Sequence, residues 1–173
     1  MTNGNLPPSG NANADMLWSL YISERDFIRH HEEQRVNASN ILAAIAAGLI
    51  VAMGSVEMSA EVRLMISVLL MAIGLFGYLF CGKLYALIQL HALRSYEYLD
   101  ALEAAMPGLD IGTHKASVKK QHKKRFPFFG RLPLNTVWAL FHLLIFAAGV
   151  VFLLQSMGFI SMDWLGNLQR DSA

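Results

Sequence analysis

Charge is scarce in this chain. Of its 173 residues, 14 are Lys or Arg and 13 are Asp or Glu, together 16%. Soluble domains carry about 25%, so a protein wetted on every side is not expected. There is one cysteine, Cys81, which excludes an intramolecular disulfide and gives no support to an oxidised, secreted fold. The formal net charge is only +1, so overall charge selects no partner. Catalytic signatures are missing as well. The chain has no P-loop, dinucleotide fingerprint, HExxH, nucleophile elbow or CxxC. Its acidic residues have no evident partner for acid–base work. No catalytic residue, metal ligand or cofactor is therefore expected, and the chain does not read as an enzyme.

Hydrophobic residues make up 54% of the sequence, and they are concentrated in three charge-free runs. These are Val36–Val56, Leu64–Gly82 and Leu132–Met162. A helix rises ~1.5 Å per residue, so about 20 residues cross a ~30 Å hydrocarbon core. The reading is an all-α polytopic membrane protein with three transmembrane helices and cytoplasmic helical extensions. Its expected parts are a disordered tail over 1–14 and an amphipathic cytoplasmic helix over 15–35. The first transmembrane helix covers 36–56, and the second, continuing into a cytoplasmic helix, covers 64–106. A basic cytoplasmic loop follows over 107–133, then the third transmembrane helix over 134–158 and an outer tail over 159–173. The first residues lack the basic and apolar regions of a signal peptide. Trp138 and Trp164 suit the two interfaces bounding the third helix.

Sidedness follows from Lys and Arg. Arg25, Arg29 and Arg35 precede the first run, and nine basic residues lie between Lys83 and Arg131. The hairpin tip holds only Arg63 and the tail only Arg170. The N-terminus and the middle segment are therefore expected in the cytoplasm. The C-terminus is expected on the periplasmic or extracellular side.

Within 15–35, Leu17, Leu20, Tyr21, Phe27 and Ile28 form an apolar stripe. A second stripe, Tyr85 to Met106, follows the second transmembrane helix until Pro107 and Gly108. Two short stripes bury little alone, so a homo-oligomer is expected, with a cytoplasmic protein as the other possible docking partner. His30 and His31 are adjacent and point about 100° apart on a helix, so they do not chelate one ion together. HHEE is instead expected to be a hydrated helix end.

Lys119, Lys120, Lys123, Lys124 and Arg125 are lipid-contact candidates. A topology signal alone would explain them; anionic headgroups, at about 1 kcal/mol per cation, are the sharper reading. No fold supports nucleic-acid binding. Ala43, Ala44, Ala47, Gly48 and Ala52 are helix-packing candidates, because small residues let helices approach closely in lipid. That packing is either within the hairpin or between subunits. His142 and Gln155 are intramembrane polar candidates. His142 either lines a conduit and senses pH or is a neutral hydrogen-bonding group. Gln34, Arg35, Asn37 and Asn40 stand at the membrane entry, where Arg35 can snorkel.

Trp18 and Tyr21, the charged helix after them, and Gln34, Arg35 and Asn37 before the first run carry a resemblance. With the short-tipped hairpin, they make residues 15–106 similar to the RipA-like octameric inner-membrane proteins of bacteria, akin in outline to SLATT-domain proteins. The resemblance implies a homo-oligomer, an octamer in that family, with a role in stress response. SLATT relatives further imply a pore-forming effector of cellular defence. The third run departs from the two-helix SLATT outline.

Overall fold

The computed structural model describes residues 11–55, 57–106, 108, 110–127 and 134–160. Four helices make up its regular structure: α1 Ala12–Ser55, α2 Ala60–Ala105, α3 Ile111–Arg125 and α4 Leu134–Ser156. No strand occurs among the described residues. Helices α1, α2 and α4 are each long and apolar enough to cross a membrane. Two compact units emerge from the packing: Met1–Arg35 with Lys83–Leu134, and Val36–Gly82 with Asn135–Ala173.

The first unit holds the charged parts of α1 and α2, together with α3. Ala14, Leu99 and Leu102 are buried together, with Leu17, Trp18, Tyr21, Met106 and Ile111 packed around them. Ala14, Tyr21 and Ile28 are seven residues apart, so one face of α1 turns inward at each second turn. That register corrects the expected stripe. Ile28 is buried, Leu17 and Tyr21 are half-buried, and Leu20 and Phe27 are exposed. On α2, Ile88, Leu99 and Leu102 are buried, whereas Tyr96 is exposed. Asp26 and Arg29 pair at 3.1 Å on the wet face.

Helix α1 begins inside the segment expected as a disordered tail. Asn11 accepts from the Asn13 and Ala14 backbone N–H groups at 3.1 and 3.4 Å, satisfying donors that a helix start leaves open. Asp15 in the first turn suits the positive end of the helix dipole. The rest of the tail expectation, residues 1–10, lies outside the described residues.

A helix also occupies much of the segment expected as a loop. Asp110 caps α3 by accepting from Thr113 N–H at 3.0 Å, and Glu103 accepts from Gly112 N–H at 3.1 Å. His122, Lys123, Lys124 and Arg125 fill the last turn, where the dipole favours cations. Ends, rather than an apolar face, define this helix; none of its residues is buried. Gly108, at φ +97°, reverses the chain after α2, a conformation open to glycine.

The second unit packs the apolar parts of α1 and α2 with α4. Ala46, Leu70, Ile73 and Ile145 form its core, flanked by Leu42, Leu49, Ile66, Phe141 and Phe152. Helices α2 and α4 meet at glycines from both sides. A Cβ at Gly74 would come within 2.7 Å of Phe146 Cα, and one at Gly149 within 2.7 Å of Met71 N. Removing a side chain there brings backbones into contact, which suits a lipid setting where dispersion replaces the hydrophobic drive. Helix α4 ends at Ser156, two residues before its expected limit, followed by Gly158 at φ +78°. At the hairpin tip, hydrogen bonds from Ser59 and its own backbone hold the exposed Glu61 carboxyl below the usual glutamate range.

The glycine contacts carry a direct test by thermal unfolding in detergent. Gly74→Ala and Gly149→Ala force backbone movement, so each is expected to cost about 1–3 kcal/mol. Gly82 has nothing within 4 Å of an added Cβ; Gly82→Ala is expected to change stability by no more than about 0.5 kcal/mol. Equal losses at all three positions would contradict the assigned crossing.

Candidate functional site

A row of polar side chains crosses the apolar unit. Helix α1 supplies Ser39, α2 supplies Cys81 and α4 supplies His142. Ser39 Oγ lies 3.1 Å from His142 Nε2 and 3.5 Å from Cys81 Sγ. Ser39 and His142 are both 0% exposed, and Cys81 is buried beside them. Ser39 reaches this point because it lies seven residues before the buried Ala46, on the same inward face of α1. His142 fits against α2 because Gly77 has no side chain; a Cβ at Gly77 would overlap the imidazole ring.

The tautomer of His142 sets the direction of the bond. Either the serine hydroxyl donates to Nε2, or an Nε2–H donates to the hydroxyl. The thiol is at the far limit for a sulfur contact and contributes less. His142 Nδ1 is buried without a partner. A serine within reach of a histidine is the pairing of a nucleophile and a base. Here no group orients Nδ1, and the pair is shut off from solvent. What the row does is tie three helices together at one depth.

The charged unit holds a second polar contact. His91 Nδ1 and Glu24 Oε2 are 2.6 Å apart, with their side chains 13% and 12% exposed. Phe27 stacks on His91 with centroids 5.0 Å apart, and the His31 ring lies 5.4 Å from it. The two histidines of HHEE share a local partner, Gln34. His30 Nε2 is 3.0 Å from Gln34 Nε2, and His31 Nδ1 is 3.1 Å from Gln34 Oε1. Among the described residues no group of three His, Cys, Asp or Glu is arranged to hold a metal ion. A groove of about 1080 Å³ runs between α2 and α3, with Tyr96 and Asp100 on one side and His114, Lys115 and Lys119 on the other. Lys115 Nζ sits 4.6 Å above the Tyr96 ring.

Of the residues singled out in the sequence, His142 lies in the buried row and Gln155 is half-buried near the end of α4. Lys119, Lys120, Lys123, Lys124 and Arg125 are all exposed on α3. Ala43 and Ala52 are half-buried, whereas Ala44, Ala47 and Gly48 are exposed. Ala46, between them, is the small residue that packs inward. Gln34, Asn37 and Asn40 are exposed, and Arg35 is buried rather than reaching outward to snorkel. Sequence reasoning missed Ser39, Glu24 and His91 as contact residues. The seven-residue interval from Ser39 to Ala46 was the available signal for the first.

Ser39→Ala strands the second imidazole nitrogen as well as the first. It is expected to destabilise the protein in detergent by about 1–2 kcal/mol, within the range for a lost buried hydrogen bond. Cys81→Ala should cost less than Ser39→Ala. In a Ser39→Ala/His142→Phe cycle the effects should be non-additive; additive losses would show that the row contributes no coupling.

Comparison with protein-family models, with curated proteins and with solved structures finds no match for this chain.

Proposed function

We propose that the chain is a non-enzymatic protein of the bacterial inner membrane that works as a homo-oligomer and forms a pore. Its N-terminus and α3 lie in the cytoplasm, and its hairpin tip and C-terminus lie on the outer side. The observation that carries this reading is in the charged unit. Met16, Leu20, Phe27, Leu90 and Leu93 are exposed there, among Arg25, Asp26 and Arg29, whose charges keep hydrocarbon away. Apolar side chains in water at this density call for protein to cover them.

The pore reading draws on the mouth of α1. Asn37 and Asn40 are exposed, uncharged and polar at the start of the first apolar run. Arranged around a ring, they supply hydrogen-bonding groups to a water-filled entry. The basic residues of α3 would face anionic headgroups. The resemblance to RipA-like and SLATT-domain proteins adds the setting, an effector of stress response or defence.

A second reading is favoured by α3. A helix with no buried residue and a groove against α2 fits a membrane scaffold that docks a cytoplasmic protein.

Conductance decides between them. Protein reconstituted into liposomes is expected to raise ion flux, and Asn37→Leu with Asn40→Leu is expected to reduce that flux without lowering the amount incorporated. Sealed liposomes at high protein density would remove the pore and leave the scaffold.

A further inference from the structure

The groove between α2 and α3 lies wholly within the charged unit. Helix α3 is tied to α2 at its first turn, where Glu103 accepts from Gly112 N–H and Ile111 packs against the Leu99–Leu102 cluster. No residue of α3 is buried, and a space of about 1080 Å³ stays open against α2. Small-molecule sites span about 300–1,000 Å³, so the space has the size of a ligand site.

One face of α3 lines it. Ile111, Lys115, Val118 and His122 follow at helical spacing, with Lys119 beside them. Apolar and basic side chains therefore alternate along that wall. The α2 wall holds Tyr96 and Asp100. Asp110, at one end, is engaged in capping α3 through Thr113 N–H. Asp100 is exposed, and among the described residues it forms no ion pair with Lys115 or Lys119. Lys115 Nζ lies over the Tyr96 ring instead. Helix α3 contains no Asp or Glu. Lys115 and Lys119, Lys119 and Lys123, and Lys120 and Lys124 are like charges four residues apart, a spacing at which they repel. An anion set between Lys115 and Lys119 relieves that repulsion.

We infer that the groove binds a small, dissolved organic phosphate. Its phosphate sits on Lys115 and Lys119, since lysine serves phosphate as a point charge. Its apolar part lies against Val118 and Tyr96, which a bare anion would leave unused. Asp100 accepts from a hydroxyl or amine on that part. The distance along α2 selects a dissolved ligand over a lipid. Lys83 is the first charge after the apolar run, and Tyr96 lies thirteen residues on, ~20 Å along the helix. Headgroups extend only about 5–8 Å beyond the hydrocarbon. This choice of source rests on the membrane reading above; the groove and its charges do not. Lys120 and Lys124, on the opposite side of α3, remain available to headgroups.

Isothermal titration of the full chain in detergent tests it, with phenyl phosphate and inorganic phosphate as probes. The expected result is one saturable site per chain, with phenyl phosphate bound on the order of tenfold more tightly than inorganic phosphate. Lys115→Gln with Lys119→Gln should weaken phenyl phosphate by about tenfold or more. Lys120→Gln with Lys124→Gln removes the same charge from the far side and should weaken it by less than about threefold. Tyr96→Ala should remove the advantage of the phenyl group and leave inorganic phosphate bound as before. Circular dichroism compares the variants at equal helicity. Equal weakening by the two lysine pairs would reduce the site to net charge and overturn it, as would equal affinity for the two probes or no saturation. Hexaglutamate binding more tightly than phenyl phosphate would overturn the ligand class in favour of an acidic peptide. The titration is repeated in proteoliposomes of phosphatidylcholine with and without phosphatidylglycerol. Loss of phenyl phosphate binding in the anionic vesicles would assign the groove to a lipid headgroup and overturn the dissolved ligand. A chain that stays dispersed in buffer without detergent would remove the membrane reading, while the contrast between the two lysine pairs would still stand or fall by itself.

Discussion

Everything described depends on what surrounds α1, α2 and α4. Their inner faces bury a few residues each, Ala46, Leu70, Ile73 and Ile145 at the centre. Their outer faces carry the larger share of apolar surface: Met65 and Leu144 are each 70% exposed, and Val51 66%. In water this arrangement would leave far more apolar area wet than a soluble monomer shows. In hydrocarbon the same surface costs nothing, and backbone groups satisfied within helices need no solvent. A hydrocarbon medium would thus permit a unit with so small a core.

Once hydrocarbon solvates the outside, association of helices cannot rely on excluding water. What remains is close contact and hydrogen bonding. Both are present in the apolar unit. Gly74 and Gly149 bring α2 and α4 to backbone contact, and Ser39 and His142 join α1 to α4 beside Cys81. The charged unit has a buried apolar cluster around Leu99 and a Glu24–His91 contact sheltered from solvent. Its remaining exposed apolar positions are the ones on which the proposed oligomer rests.

The helical class and the three long apolar helices were legible in the sequence because absence of charge is a property of composition, readable without knowing any contact. Helix α3 was not, since six basic residues over fifteen positions carry no apolar period; its evidence is the Asp110 cap and the cations of its last turn. The start of α1 was hidden for the same reason, in Asn11 and Ala12 beside a polar tail. Small residues in α1 indicated that something packs closely, yet Ala46 turns inward while Ala44 and Ala47 do not. Adjacent residues differ by about 100° around a helix, and only the partner's position tells which face is used. His142 was visible as a polar residue in an apolar run, but Ser39 was one serine among several until α4 was placed beside it.

The central claim is that lipid solvates the three apolar helices. Cell membranes washed in alkaline carbonate, which strips peripheral proteins, should retain this chain in the pellet, and mild detergent should be needed to release it. Recovery of the chain in the carbonate supernatant as a dispersed, helical species would contradict the account.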